Sequence, residues 1–327
     1  MACSNTDSLK EIPGVSIGHA EDIEAATGCT VILAPGGAVC GVDQRGGAPG
    51  TRETDLLRPM HLVEKAHAVL LTGGSAFGLA AADGVMRWLE ERKIGFDVGV
   101  AHVPIVPGAS LFDLAIGRAD VRPDAKMGYA ACEAATSDLK ARVGTVGAGT
   151  GATVGHILGP AGCMKGGLGA AVVEVKPGLF VGAVIAVNCF GDVIDPNTGK
   201  TIAGSRKMPE GTFGDPLCML AGMPESFADA VKNTVIGVVL TNAKLTKEAA
   251  SKVAQMAHNG LARTIVPAHT MFDGDTIFAL ATGLGNAADV NVIGAYAAEA
   301  TAHAVIDAVT KATSLAGISA LRDIKIK

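Results

Sequence analysis

Two carboxylates stand two residues apart in "HTMFDGDTIFALATG", at Asp273 and Asp275. At the mouth of a strand that spacing points both side chains to one face. Carboxylates so close repel, so one holds its proton longer, and such a pair can position or exchange protons at a reacting group. A solvated turn would have the same composition. A calcium loop is excluded because the other ligand positions of an EF-hand are missing. Cys189 offers a thiol with His156 or His269 as a conceivable base, but no spacing supports it, and a buried thiol at a strand end accounts for it. The dipeptide Asn233–Thr234, where a charged stretch "DAVKN" meets an apolar run, reads on composition alone as a loop-to-strand boundary.

Two glycine-rich segments could hold anions. In "LTGGSAFGLAAADG" a strand passes through Gly73, Gly74 and Gly78 into a helix, with Asp97 at a distance suited to a ribose. Its spacing is G-G-x-x-x-G rather than G-x-G-x-x-G, and a tight turn with close packing explains the same residues. "GAGTGATVGHI" can present backbone N–H groups from around Thr150, Thr153 and His156 to an anion or a carbonyl, but lacks the Gly-Lys-Ser/Thr ending of a P-loop.

These residues need a rigid frame, and the apolar runs supply one. Ala68–Thr72, Ala170–Val175, Leu179–Asn188, Thr234–Asn242 and Thr276–Thr282 are short and rich in Val and Ile, which predicts strands buried on both faces. Such strands need cover on each side. Helical spacing supplies it at Leu79, Ala82, Met86 and Leu89; at Ala250, Val253, Ala254, Ala257 and Leu261 behind an N-cap at Thr246; and at Ile293, Tyr296, Ala297, Ala300 and Ala304. Gly191 to Phe227, with Pro196, Pro209, Pro216 and Pro224, reads as one very long loop leading into the Asn233–Thr234 junction.

The 327 residues suffice for one large α/β domain or two smaller ones, and with 49% hydrophobic residues the chain can bury a large core. Charged residues are only 18% against a usual ~25%, which suggests surface hidden in a homo-oligomer. A net charge of −5 without a Lys/Arg-rich run argues against nucleic acid and anionic membrane as partners. No basic and apolar leader opens the chain and no uninterrupted apolar stretch of spanning length occurs, so no membrane association is expected. Seven scattered cysteines without C-x-x-C predict reduced thiols and a cytoplasmic location. His61 and His67 are six apart and H-E-x-x-H is absent, so no zinc or other metal site is expected.

Taken together, "IPGVSIGHAED", "TGCTVIL", "GGAPGTRETDLL", "LTGGSAFGLAAADGVMRWLEE", "VPIVPGASLFDL", "VGAGTGATVGHI", "MKGGLG", "NTVIGVVLTNAKLT", "MAHNGLARTIVPAHTMFDGDT" and "FALATG" make the chain resemble the DmpA-type family. That family comprises L-aminopeptidase/D-esterases, β-peptidyl aminopeptidases and nylon-oligomer hydrolases. The resemblance implies an α/β class, a four-layer α/β/β/α sandwich of the DmpA type as a single domain over 1–327, and a precursor that cuts itself before Ser or Thr. Carried onto this chain, the cut falls between Asn233 and Thr234, giving pieces 1–233 and 234–327. Thr234 becomes the N-terminal nucleophile, Asn188 stabilises the oxyanion, and Asp273 and Asp275 form the acidic pair beside it. Phe112 falls where several relatives carry Tyr and His156 where close relatives often carry Lys, positions expected to bear on substrate. The implied activity is hydrolysis of small peptides or amide oligomers by a cytoplasmic homo-oligomer, a tetramer or larger, without cofactor. Acyl transfer of the ornithine-acetyltransferase kind, or non-catalytic small-molecule binding on the same scaffold, are the rival readings.

Overall fold

The computed structural model describes residues 5–6, 12–137, 142–223 and 233–324. The charged lead-in Asp229–Lys232 and Pro224–Phe227 of the long proline-bearing segment lie outside the described residues, as does Cys3.

The apolar runs become the strands expected of them. The principal strands are β1 (Ser16–Asp22), β2 (Thr27–Gln44), β3 (Lys65–Thr72), β4 (Gly108–Ser110), β5 (Gly167–Lys176), β6 (Leu179–Asn188), β7 (Thr234–Thr241) and β8 (Thr276–Ala281). They hydrogen-bond in the order β5-β6-β7-β8-β2-β3-β4, with Asn5–Thr6 beyond β5, Gly50–Arg52 beyond β4, and β1 paired to β2. β7 and β8 run parallel; β5/β6, β6/β7, β8/β2 and β2/β3 are antiparallel.

Hydrogen bonding thus makes one sheet, yet side-chain packing makes two layers of it. β2 is 18 residues long. Its first part pairs with β1 and β3 and its last part with β8, and the register slips between Leu33 and Ala38, around Pro35-Gly36-Gly37. The sheet folds back on itself there. Ile32, Ala34, Ala38 and Cys40 of β2 meet Val184, Ala186, Ile236, Val238, Leu240, Phe278 and Leu280 in a core between the layers. On one outer face lie helices α3 (Lys247–Thr264) and α4 (Val290–Lys311), packed on Val181, Ala183, Ile185, Val235 and Val239. On the other lie α1 (Ala81–Glu90) and α2 (Ala125–Glu133), packed on Cys29, Val31, Leu33, Ala68 and Leu70. The result is the α/β/β/α sandwich.

Small residues set the helix-to-sheet spacing. A Cβ on Gly41 would lie 2.2 Å from Ser251 N, and one on Gly169 would lie 1.9 Å from Ala304 O. Thr246 caps α3 as its sequence requires, its hydroxyl accepting from Ala249 N at 3.2 Å. α4 has the length and hydropathy to cross a bilayer, but eleven of its residues, among them Ile293, Ala297, Ala300, Ala304 and Val305, are buried within the fold.

The proline-bearing segment is not a structureless loop. Asp192–Ile194 pairs with Thr201–Ala203 and with Ile265–Val266 in a small sheet, Arg206–Lys207 pairs with Thr212–Phe213, and Pro216–Ala221 is a short helix. The turns between these short elements hide the pattern in the sequence, since two- and three-residue strands carry no period.

Candidate active site

Thr234 opens β7 directly opposite Asn188, the last residue of β6. Residues paired across an antiparallel ladder project to the same face with their Cβ atoms about 4.5–5.5 Å apart, so hydroxyl and carboxamide are neighbours by register alone. Both are buried, Thr234 at 4% and Asn188 at 1% exposure.

The Asn188 carboxamide is held from both ends. Its Oδ1 accepts from Thr153 N at 2.9 Å and from Thr153 Oγ1 at 3.3 Å, while Nδ2 donates to Phe112 O at 3.1 Å. An amide nitrogen carries two hydrogens, so one remains beyond the bond to Phe112 O. Phe112 therefore touches the site through its backbone, and its ring is half-buried. His156 stands one step behind, its Nε2 at 2.9 Å from Thr153 Oγ1, and burial pulls its imidazole down to about 4, so it is neutral near pH 7.

The acidic pair is not a solvated turn. Asp273 and Asp275 are 1% and 2% exposed, because residues 45–49 lie along them: Arg45 N donates to Asp275 O at 2.8 Å and Ala48 N to Asp273 O at 2.9 Å. Asp273 Oδ1 accepts from Phe190 N at 3.1 Å, and Oδ2 accepts from Thr270 N at 3.1 Å and Thr270 Oγ1 at 2.6 Å. Desolvation first, and the Asp275 charge second, push its carboxyl up to about 6 against those hydrogen bonds. Asp275 Oδ1 accepts from Val235 N at 2.8 Å, one residue past Thr234, and Oδ2 is paired to His269 Nδ1 at 2.7 Å. The His269 ring stacks edge-on to His258 at 4.9 Å between centroids.

The Asn233–Thr234 peptide is clamped between these groups. Asn233 N donates to Phe272 O at 2.9 Å and Gly274 N donates to Asn233 O at 3.0 Å. The Thr234 hydroxyl donates to the same Asn233 oxygen. One carbonyl thus receives a backbone N–H and faces a hydroxyl, with two buried carboxylates beside it. Phe190 and Phe272, with rings 5.0 Å apart, join Ile157, Met219, Leu220 and Met223 in an apolar cluster that seats the helix Pro216–Ala221 against this corner.

The remaining sequence candidates resolve otherwise. Cys189 is buried, donates to Gly191 O at 3.1 Å, and has its thiol raised well above its usual range by desolvation, which leaves it inert. The glycine-rich turn after β3 is no nucleotide cradle. Gly74 N donates to Asp113 Oδ1 at 2.7 Å, so a carboxylate of the chain itself occupies the anion position, and Asp97 lies in a separate exposed hairpin. "GAGTGATVG" does offer an N–H to a carbonyl group, and the acceptor is Asn188. Thr270 and Gly274 gain their places at the site only through tertiary packing, and no spacing in the sequence marks them; His269 is there as the partner of Asp275 rather than as a base for Cys189.

A buried hydroxyl heading a strand, a carboxamide opposite it and an acidic pair beside it, gathered at one end of an α/β/β/α sandwich, are groups suited to hydrolysis of an acyl bond. Known proteins of similar sequence and structure agree. Residues 7–322 match Peptidase family S58. An uncharacterized aminopeptidase of Mycobacterium leprae is 46% identical, with 95% of this chain and 92% of that protein covered. A 6-aminohexanoate-oligomer endohydrolase of Paenarthrobacter ureafaciens is 33% identical over 83% of this chain and 74% of that one. The L-aminopeptidase D-Ala-esterase/amidase of Ochrobactrum anthropi has the same fold, with a TM-score of 0.69 at 19% identity over 94% of this chain and 86% of that one. A β-aminopeptidase of Burkholderia sp. superposes with a TM-score of 0.68 at 21% identity over 98% and 93%. The chain belongs to peptidase family S58 and is a hydrolase of peptide or amide bonds.

Proposed function

We propose that this hydrolase matures by cutting its own Asn233–Thr234 bond and then works through the freed Thr234. The observation that carries the reading is the Asn233 carbonyl, which accepts from Gly274 N and faces the Thr234 hydroxyl. In the first reaction Thr234 Oγ bonds to the Asn233 carbonyl carbon, its proton passing to the acidic pair. Negative charge gathers on an oxygen that already receives the Gly274 N–H, so that donor needs no reorganisation. The C–N bond then breaks as Thr234 N takes up a proton, leaving an ester. Water opens the ester to an Asn233 carboxylate and a Thr234 amine. A carboxyl at about 6, as for Asp273, suits proton transfer near neutrality.

In turnover the new α-amine is the base on the same residue as the nucleophile. It takes the hydroxyl proton as Oγ attacks the substrate carbonyl. The second Asn188 Nδ2 hydrogen meets the oxyanion, the leaving amine receives the proton, and water releases the acyl group. An α-amine ordinarily titrates near 7.7–8.0, so at pH 7 it is mostly protonated in water. A carboxylate brought beside it would favour the charged form, and burial favours the neutral one.

The substrates that fit are short peptides or amide oligomers, in keeping with the names of the relatives. The working form is a cytoplasmic homo-oligomer, a tetramer or larger. In its support the six described cysteines are all free thiols, and Met60, Leu62 and Val100 are 97%, 83% and 95% exposed. Intact mass under denaturing conditions tests the maturation: two polypeptides are expected, the lighter beginning at Thr234, and Thr234→Ala should leave one. Two fragments from Thr234→Ala would end the proposal. Adding an amine acceptor during turnover separates hydrolysis from acyl transfer, and hydrolysis is expected to dominate.

A further inference from the structure

Lys165 is wholly buried, 0% exposed, and takes no part in the chemistry above. Its ammonium donates to Gly149 O at 3.0 Å, Ala152 O at 2.7 Å and Gly166 O at 3.2 Å. An ammonium has three N–H donors, so none remains for Thr234 or a substrate. Two of the three acceptors belong to the "GAGTGATVG" turn, and the residue following Ala152 is Thr153, which grips Asn188 Oδ1. Lys165 and Thr153 are also direct partners across a short two-stranded pairing.

The other end of the carboxamide has a matching support. Phe112, whose carbonyl accepts from Asn188 Nδ2, is followed by Asp113, also buried. Asp113 accepts from Gly74 N and from Thr27 Oγ1, both at 2.7 Å. A Cβ on Gly151 would stand 2.5 Å from Asp113 Cβ, and one on Gly73 would stand 2.0 Å from Asp113 Oδ2. Both glycine-rich turns therefore close on this carboxylate. Lys165 and Asp113 attract one another, while burial pulls the lysine down to about 7 and pushes the aspartate up.

A buried charge is a poor source of stability, since apolar residues of similar volume do as well or better. What it supplies is fixed geometry. We propose that Lys165, partnered by Asp113, is the positioning residue for the Asn188 carboxamide: it freezes the turn that carries Thr153 and so aims the free Nδ2 hydrogen at the reacting carbonyl. This rests on the reading of Asn188 as the oxyanion donor.

The test is a double-mutant cycle of Lys165→Met and Asn188→Ala, with an amino-acid p-nitroanilide as substrate and kcat normalised to the processed fraction found by intact mass. Asn188→Ala alone should lower kcat by roughly 10²–10³-fold. Lys165→Met alone should lower kcat by roughly 10- to 100-fold with KM nearly unchanged, because a misplacement of about 1 Å has that effect. In the Asn188→Ala background Lys165→Met should change kcat by no more than about twofold, since the donor it aims is gone. Losses that multiply in the double variant would mean a general packing role and overturn the proposal, as would an unaltered kcat in Lys165→Met. An unaltered kcat in Asn188→Ala would instead remove the reading beneath it. Should Lys165→Met not fold, Asp113→Asn, which keeps its size and an acceptor for Gly74 N, takes its place in the same cycle: a loss that vanishes in the Asn188→Ala background supports the proposal, and one that multiplies there overturns it.

Discussion

Gly274 tests the self-cleavage geometry most directly. A Cβ placed on it would stand 2.3 Å from Ala48 O, 2.9 Å from Ala48 C and 3.0 Å from Pro49 Cα, all backbone atoms that cannot swing aside. Reaching even 3.0 Å from that oxygen requires a shift of about 0.7 Å (3.0 − 2.3), by Gly274 or by the 45–49 segment that also holds Asp273 and Asp275 through their carbonyls. Displacement on this scale spoils the 3.0 Å bond from Gly274 N to Asn233 O. Losing one preorganised oxyanion donor costs roughly 10²–10³-fold, about 2.7–4 kcal/mol. Gly274→Ala should therefore slow processing by roughly 10²-fold while leaving the sandwich folded. The assay is a time course of fragment formation by denaturing electrophoresis after synthesis is stopped, with circular dichroism and melting as the folding control. A folded Gly274→Ala protein that is processed as fast as its parent would refute the reasoning that the Gly274 N–H serves this step.

His269→Ala removes the 2.7 Å partner of Asp275 Oδ2 and should lower kcat by roughly 10- to 100-fold with little effect on KM; steady-state kinetics on the processed protein would show otherwise if His269 merely fills space. Cys189→Ala should keep kcat within about twofold and cost about 1 kcal/mol for the lost thiol bond, read from urea midpoints. His156 is held at about 4 against an ordinary 6.5, so between those values the unfolded chain binds a proton that the folded chain does not, and stability falls as pH drops through that window. Across 2.5 units the effect approaches about 3 kcal/mol. His156→Gln should abolish that share, so its stability relative to the parent should rise from pH 7 to pH 4, whereas Asp192 and Asp273, both raised to about 6, drive the parent the opposite way in the same range. A parent–variant difference that stays flat with pH would contradict the assignment.

Much of this frame is legible in the sequence, because buried strands announce themselves as short Val/Ile runs and packed helices as Ala-rich stripes. The apolar run Leu179–Asn188 coincides with β6, and β7 begins at Thr234. β2 is not legible in this way, since Pro35-Gly36-Gly37 is the composition of a turn, yet here it is the corner at which one strand passes between layers. The burial of Asp273 and Asp275 is equally hidden. "MFDGD" is polar and glycine-bearing, and it is covered only because a segment more than 220 residues earlier lies along it. Lys165 carries a faint signal, a single cation among Met164, Gly166 and Leu168 with no partner of opposite charge nearby in sequence. The three carbonyls that hold it belong to backbone, which a sequence does not display.

The placement of β7 and β8 bears on what severing the chain could do. They lie side by side with β6 hydrogen-bonded to one flank and β2 to the other. A nick ahead of Thr234 would leave those two strands wedged between neighbours from the other polypeptide, gripped by eight register pairs on one border and six on the opposite one. Neither fragment could drift away without tearing open the middle of the sheet. Maturation would liberate a chain terminus while liberating no subunit.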